Sequence, residues 1–235
     1  MRLELLQGGL IVSCQAPKDS PLHDPHVIAA MALTAQKRGA VALRIESPAH
    51  IEAVRRLVSI PIIGLWKRTD PGSSVYITPT FEDAQTVVEA GADIVALDAT
   101  ERPRVDGVPI QELLPKIRKK LAVPVMADIA TFEEGKLSAS LGAELIGTTL
   151  YGYTEATQYF TPPGFDLLQT LARQLAVSII CEGGITTPED VAKAYQLGAF
   201  SVVVGTAITG MDARVTAFCK ATSRFETKSH FPKNE

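Results

Sequence analysis

Cysteine is scarce in this chain of 235 residues: Cys14, Cys181 and Cys219 are too few and too irregularly spaced for a disulfide framework or a thiolate metal site. Their scarcity points to a reducing interior. Long hydrophobic runs are also missing, since nothing approaches the roughly eighteen uninterrupted apolar residues of a membrane span. The opening MRLELLQGGLIVSCQA carries one arginine and a short apolar run, without the long apolar region of a signal peptide. The expectation is a cytoplasmic protein with no membrane partner. Neither charge is in strong excess: 23 Lys and Arg face 26 Asp and Glu, a net charge of -3. That balance gives no reason to expect nucleic acid or an anionic membrane as partner, and it leaves room for a local anion site. The four histidines, His23, His26, His50 and His230, form no HExxH pattern and none falls at a predicted strand end. Asp98 and Asp128 could contribute to a divalent site, but no close ligand cluster accompanies them, so no metal is expected.

What is present is a full complement of core residues, 46% of the chain, arranged in a repeat. A Gly-Ala pair leading into a short apolar run recurs as GAVALRI from Gly39, GADIVALD from Gly91, GAELIGT from Gly142 and GAFSVVVG from Gly198. The spacings of 52, 51 and 56 residues are each about two strand-plus-helix units. IPIIGLWK from Ile60, VPVMAD from Val123 and VSIICEGG from Val177 supply the strands between, and GGLIVSC supplies the first, making eight.

Helical composition falls in the intervals 26–38, 48–58, 81–90, 111–120, 131–141, 165–175, 188–197 and 212–220. Thr80, Thr131 and Thr187 each precede acidic residues and read as helix starts, while the repeat glycines suit left-handed helix ends. Near-continuous apolar strands alternating with helices predict an α/β fold, a closed (β/α)8 TIM barrel over residues 1–222 with a polar tail at 223–235. An open doubly wound sheet is the rival arrangement.

In a barrel the chemistry belongs at the carboxyl ends of the strands. Polar residues gather there: Ser13, Cys14 and Gln15, then Arg44 and Glu46, Lys67 and Arg68, Asp98, Asp128, Thr148 and Thr149, Glu182, and lastly Gly205 with Thr206. Any one of these taken alone is as well explained by a helix cap or a solvated charge. Cys14 and Cys181, with apolar neighbours, read as packing residues rather than nucleophiles. Gly183-Gly184 after strand seven and Gly205-Thr206 after strand eight suit close approach of backbone amides to a phosphate, although glycines there can simply make tight turns.

These stretches also carry a resemblance. VSCQA, ALRIES, GLWKR, YITPT, VALDAT, MADIAT, GTTLYGYT, CEGGITTPEDV and VVVGTAIT, in barrel order along nearly the whole chain, resemble the N-acetylmannosamine-6-phosphate 2-epimerase family, also called N-acylglucosamine-6-phosphate 2-epimerase. The resemblance implies interconversion of the 6-phosphates of N-acetylmannosamine and N-acetylglucosamine in amino-sugar or sialic-acid breakdown, without an organic cofactor, by a homodimer. It implies Lys67 and Glu182 as the proton-transfer pair, with Gln15, Arg44 and Asp128 orienting substrate or completing a polar network. Gly183, Gly184, Gly205 and Thr206 become phosphate-site residues. Two arginines common in the family, after the strand-seven Glu-Gly and after the strand-eight Ala-Ile-Thr, are replaced here by Gly184 and Gly210. The residue types fit such chemistry, because inverting a carbon centre requires a proton to leave one face and return to the other. Another phosphosugar isomerase or synthase, or a non-enzymatic sensor of a phosphorylated metabolite, would keep the same glycine loops.

Overall fold

In the computed structural model, which describes residues 2–222, eight parallel strands close into a barrel. They are β1 (Leu10–Cys14), β2 (Ala42–Glu46), β3 (Ile62–Leu65), β4 (Ile94–Asp98), β5 (Val125–Asp128), β6 (Leu145–Gly147), β7 (Ser178–Cys181) and β8 (Ser201–Val204). Each pairs with its sequence neighbours, and β1 completes the ring against β8 through Ile11 opposite Val203. The doubly wound alternative is thereby excluded. The expected tail at 223–235 lies outside the described residues.

The helices are α1 (Pro25–Lys37), α2 (Pro48–Arg55), α3 (Phe81–Glu89), α4 (Ile110–Leu121), α5 (Phe132–Ser140), α6 (Phe165–Gln174), α7 (Pro188–Gln196), the single turn α8 (Thr206–Thr209) and α9 (Met211–Lys220). All three predicted threonine starts are capping boxes: Thr80 with Asp83, Thr131 with Glu134 and Thr187 with Asp190. Gly39, Gly91, Gly142 and Gly198 follow their helices at φ of 97°, 108°, 95° and 99°. That conformation is open to glycine at little cost, so the Gly-Ala repeat marks the return from helix to strand. α2 ends earlier than its composition suggests, because the Arg55 guanidinium turns back to the carbonyls of Val58 and Ile60 and to Asp93. α8 is a short turn outside the predicted helical intervals, and α9 buries none of its residues.

A two-residue alternation sorts the strand side chains. Ile11, Ala42, Ile63, Ile94, Met126, Leu145, Ile180 and Val203 fill the inside of the barrel. Their neighbours Val12, Leu43, Ile62, Val95, Val125, Ile146, Ile179 and Val202 join the layer shared with the helices. Leu6, from a 3-10 turn at Leu3–Leu6, is fully buried in the inner cluster beside Phe200 and Leu3 and stops the end of the barrel opposite the strand termini.

Packing between the layers is tight at Gly64 in β3. A Cβ there would lie 2.5 Å from the Ala92 Cβ, 2.7 Å from Val87 and 2.9 Å from Ile51. Gly64→Ala should therefore cost about 1–3 kcal/mol by overpacking, a loss of roughly 2–12 °C in melting temperature for a domain of this size. An unchanged melting temperature would show that the α2 and α3 side chains give way without cost.

Candidate active site

Continuing the inward alternation past the apolar layers reaches the polar residues at the mouth. Ile11 leads to Ser13 and Gln15, Ala42 to Arg44 and Glu46, Ile63 to Leu65 and Lys67, and Ile94 to Ala96 and Asp98. Met126 leads to Asp128, Leu145 to Gly147 and Thr149, Ile180 to Glu182, and Val203 to Gly205. Each is two residues beyond an inward side chain, so the strand geometry itself turns it over the core. Cys14 and Cys181 fall on the opposite parity, in the outer layer. Burial pushes their thiols up to about 12, so both are packing residues held neutral.

Arg44 is the centre of the mouth, only 3% exposed. It grips fully buried Asp128 with both ends of its fork, Nη1 to Oδ1 at 3.2 Å and Nη2 to Oδ2 at 2.6 Å, while Nε lies 3.1 Å from Oε1 of Glu182. Burial alone would lower the pKa of Arg44, but the Asp128 and Glu182 carboxylates and the Asp128 hydrogen bond more than offset it and raise it further. The hydroxyl of Thr149 donates to Asp128 Oδ1 at 2.6 Å. Thr148 fixes the strand end carrying Glu182, accepting from its backbone N–H at 3.0 Å and donating to its carbonyl at 2.9 Å.

Glu182 has a buried second oxygen, Oε2, with no hydrogen-bond partner among the described residues. Burial, opposed by Arg44 and reinforced by the Asp128 charge, raises its carboxyl from 4.5 to about 7. Lys67 donates to Gln15 Oε1 at 2.5 Å, and Gln15 Nε2 in turn donates to Ser13 Oγ at 3.2 Å. Burial lowers the Lys67 pKa, with the Glu46 carboxylate opposing and the Arg44 cation assisting. Lys67 is held by the segment that returns antiparallel to it: Arg68 N–H donates to the Tyr76 carbonyl, Thr78 N–H to the Trp66 carbonyl, and Trp66 N–H to the Thr78 hydroxyl. Thr78 adopts φ 45° to do so, and its hydroxyl also donates to the Ala96 carbonyl at 2.7 Å.

A cleft of about 570 Å³ gathers Gln15, Arg44, Lys67, Glu182, Gly183 and Gly184 at the barrel mouth. Gly205, Thr206 and Arg214 line it too. Asp128 does not line this cleft and acts on it through Arg44 and Thr149. Lys67 and Gln15 also border a second cleft of about 380 Å³ that contains Glu46. Two further polar residues at the strand ends are engaged elsewhere. Asp98 is neutralised by Arg102 at 2.5 Å, and Arg68 by Asp83 at 2.7 Å. Among the described residues no three His, Cys, Asp or Glu side chains cluster as metal ligands.

The family model described as "Putative N-acetylmannosamine-6-phosphate epimerase" matches residues 28–224. The chain belongs to this epimerase family. Among its relatives, the "Putative N-acetylmannosamine-6-phosphate 2-epimerase" of Synechococcus elongatus is 58% identical over 94% of the chain and 96% of its own length. Its counterpart in Thermosynechococcus vestitus is 55% identical over 92% and 94%. The solved structure of the N-acetylmannosamine-6-phosphate 2-epimerase from Clostridium perfringens is 38% identical, superposes with a TM-score of 0.88, and is matched over 93% of this chain and 95% of that one. Against this epimerase-family background, the sequence reading missed the direct roles of Thr149 under Asp128 and of Thr78 behind Lys67. Both threonines stand in quoted stretches, GTTLYGYT and YITPT, but nothing in their spacing marks what their hydroxyls touch.

Burying Glu182 favours its neutral acid. That contribution to stability is complete below the unfolded value near 4.5 and is lost as pH rises through about 7. Glu182→Gln has no charge to bury, so its stability relative to the parent should improve between about pH 5 and pH 8 in urea denaturation. A difference that stays constant with pH would contradict the raised carboxyl pKa.

Proposed function

We propose that the protein interconverts N-acetylmannosamine 6-phosphate and N-acetylglucosamine 6-phosphate by removing and returning the proton on C2, with Lys67 and Glu182 as proton carriers. One observation carries the proposal: Glu182, one of whose oxygens is buried without a partner among the described residues, and Lys67, whose pKa is lowered by burial, line the same cleft around a fixed guanidinium. The names of the relatives support the choice of substrate.

Opening the sugar ring exposes an aldehyde at C1, which acidifies the neighbouring C2–H. One carrier takes the C2 proton, the C–H electron pair moves toward C1, and negative charge develops on the C1 oxygen. Arg44 or protonated Lys67 stabilises that enediolate-like oxygen. Return of a proton to the opposite face of C2 inverts the centre, with no net oxidation and no cofactor consumed. A carboxyl raised to about 7 lies near neutrality, where an acid/base group both takes and gives a proton efficiently. Gln15 orients the Lys67 amine, Asp128 holds both ends of the Arg44 fork, and Gly183, Gly184, Gly205 and Thr206 receive the phosphate. Exchanging the two hexosamine phosphates in a product assay separates this activity from that of another phosphosugar isomerase or synthase, and from a sensor.

Lys67→Ala and Glu182→Gln should each lower kcat/KM on the order of a hundredfold or more while leaving the circular dichroism spectrum unchanged. Near-normal turnover by a folded Glu182→Gln variant would remove Glu182 from the reaction. In deuterium oxide the product should carry solvent deuterium at C2, followed by proton NMR.

We further propose a cytoplasmic homodimer. Three free cysteines accord with a reducing compartment, and none of the described helices is long and apolar enough to cross a membrane. The α9 residues Met211, Val215 and Phe218 are 60%, 54% and 79% exposed and form one apolar stripe, a surface that a second subunit could cover. In the long loop after β6, Tyr151 stacks on Phe160 at 5.4 Å and Tyr153 lines the cleft, so part of this loop covers the site. Sedimentation velocity over a concentration series should give a species of twice the 25.2 kDa chain mass. A persistent monomer at micromolar protein would refute the dimer.

A further inference from the structure

A phosphate in this cleft gains from a free cation, and two of the three cations that line it among the described residues are already engaged. Arg44 is held by Asp128 and Glu182, and Lys67 donates to Gln15. Arg214, on the first turn of α9, lines the same cleft beside Gly184, Gly205 and Thr206, and its side chain makes no hydrogen bond or ion pair among the described residues. Ala213 and Ala217 share the cleft-facing side of α9, and these small residues leave the space above the glycine loops open for a long side chain to reach across.

The two neighbouring glycines cannot carry a charged side chain in this geometry. At Gly184, φ is 72° and a Cβ would lie 2.5 Å from the Pro162 Cβ and 2.7 Å from its carbonyl carbon. At Gly210, between α8 and α9, a Cβ would lie 2.6 Å from the Thr206 carbonyl oxygen and 2.9 Å from its Cα. These contacts involve backbone or a proline ring, which have little freedom to yield. Arg68, the other nearby arginine, is held by Asp83 at 2.7 Å and Asp70 at 3.4 Å and does not line the cleft.

We propose that Arg214 is the phosphate-binding cation of this site, reaching from α9 over a neutral cradle of Gly184, Gly205 and Thr206. The inference rests on the reading of the substrate as a hexosamine 6-phosphate. It makes binding of the charged group the task of a helix, while the β7 and β8 loops contribute only backbone amides and a hydroxyl. An exposed guanidinium on a dianion gives a charge-assisted, salt-sensitive contact. Its loss should act on substrate capture more than on the proton transfer at C2.

Arg214→Gln should raise KM for N-acetylmannosamine 6-phosphate about tenfold or more, with kcat changed by less than about threefold, and Arg214→Lys should recover part of the loss. Lys220→Gln, the same charge change on α9 away from the cleft, should leave both constants unchanged. The rise in KM with added salt should be shallower in Arg214→Gln than in the parent. Calorimetric titration with N-acetylglucosamine 6-phosphate and with inorganic phosphate reads the anion site independently of turnover. Parental turnover with equal KM and equal phosphate affinity in Arg214→Gln would overturn the role of Arg214 and leave the epimerase reading intact. Absence of turnover in the parent, with weakened phosphate binding in Arg214→Gln, would overturn the epimerase reading and keep Arg214 as the anion ligand. A parent that binds neither probe overturns the inference.

Discussion

One guanidinium answers two carboxylates at the mouth of this barrel, and the rest of the site is arranged around that imbalance. Burying Arg44 would be costly without partners, and Asp128 supplies one with a two-pronged contact that a lysine could not reproduce. Glu182 then shares the same cation from the other side. With three ionised groups the cluster is one positive charge short. A proton on Glu182 or the nearby Lys67 ammonium makes up the difference, and burial, which disfavours the charged form of each, shifts the two groups in opposite directions from their usual values. The charge balance that keeps the cluster buried is thus also what makes its proton mobile.

Much of this arrangement was legible in the chain, because it follows from a period of two. Once eight apolar strands are recognised, the polar residue at each carboxyl end is placed over the core by parity, as with Arg44 beyond Ala42 and Glu182 beyond Ile180. The Gly-Ala repeat and the threonine caps record local backbone requirements and could be read locally. The contacts of Thr78 and Thr149 could not, although parity also brings Thr149 to the mouth. Each matters through a hydroxyl that meets a residue far away in sequence, and a threonine in a loop looks the same whether it braces Asp128 or faces solvent.

The helices show the same limit. α2 stops where Arg55 folds back onto carbonyls several residues later, an event invisible to composition. α9 has a helical composition like its predecessors yet buries none of its residues, a difference that composition does not mark. The choice between Arg68 and Arg214 as a cleft cation likewise depended on Asp83, whose role as a helix cap gave no sign that it would also hold Arg68.

The 3-10 turn at Leu3–Leu6 has a consequence for traffic. With Leu6 seated under inner apolar layers that already fill the barrel, the interior is a packed core closed at the far end rather than a passage. Reactant and product both pass the carboxyl-end face of the barrel, and neither can be displaced from behind. Each molecule must leave by the strand-end face through which the next enters, so accumulated product competes directly with fresh reactant.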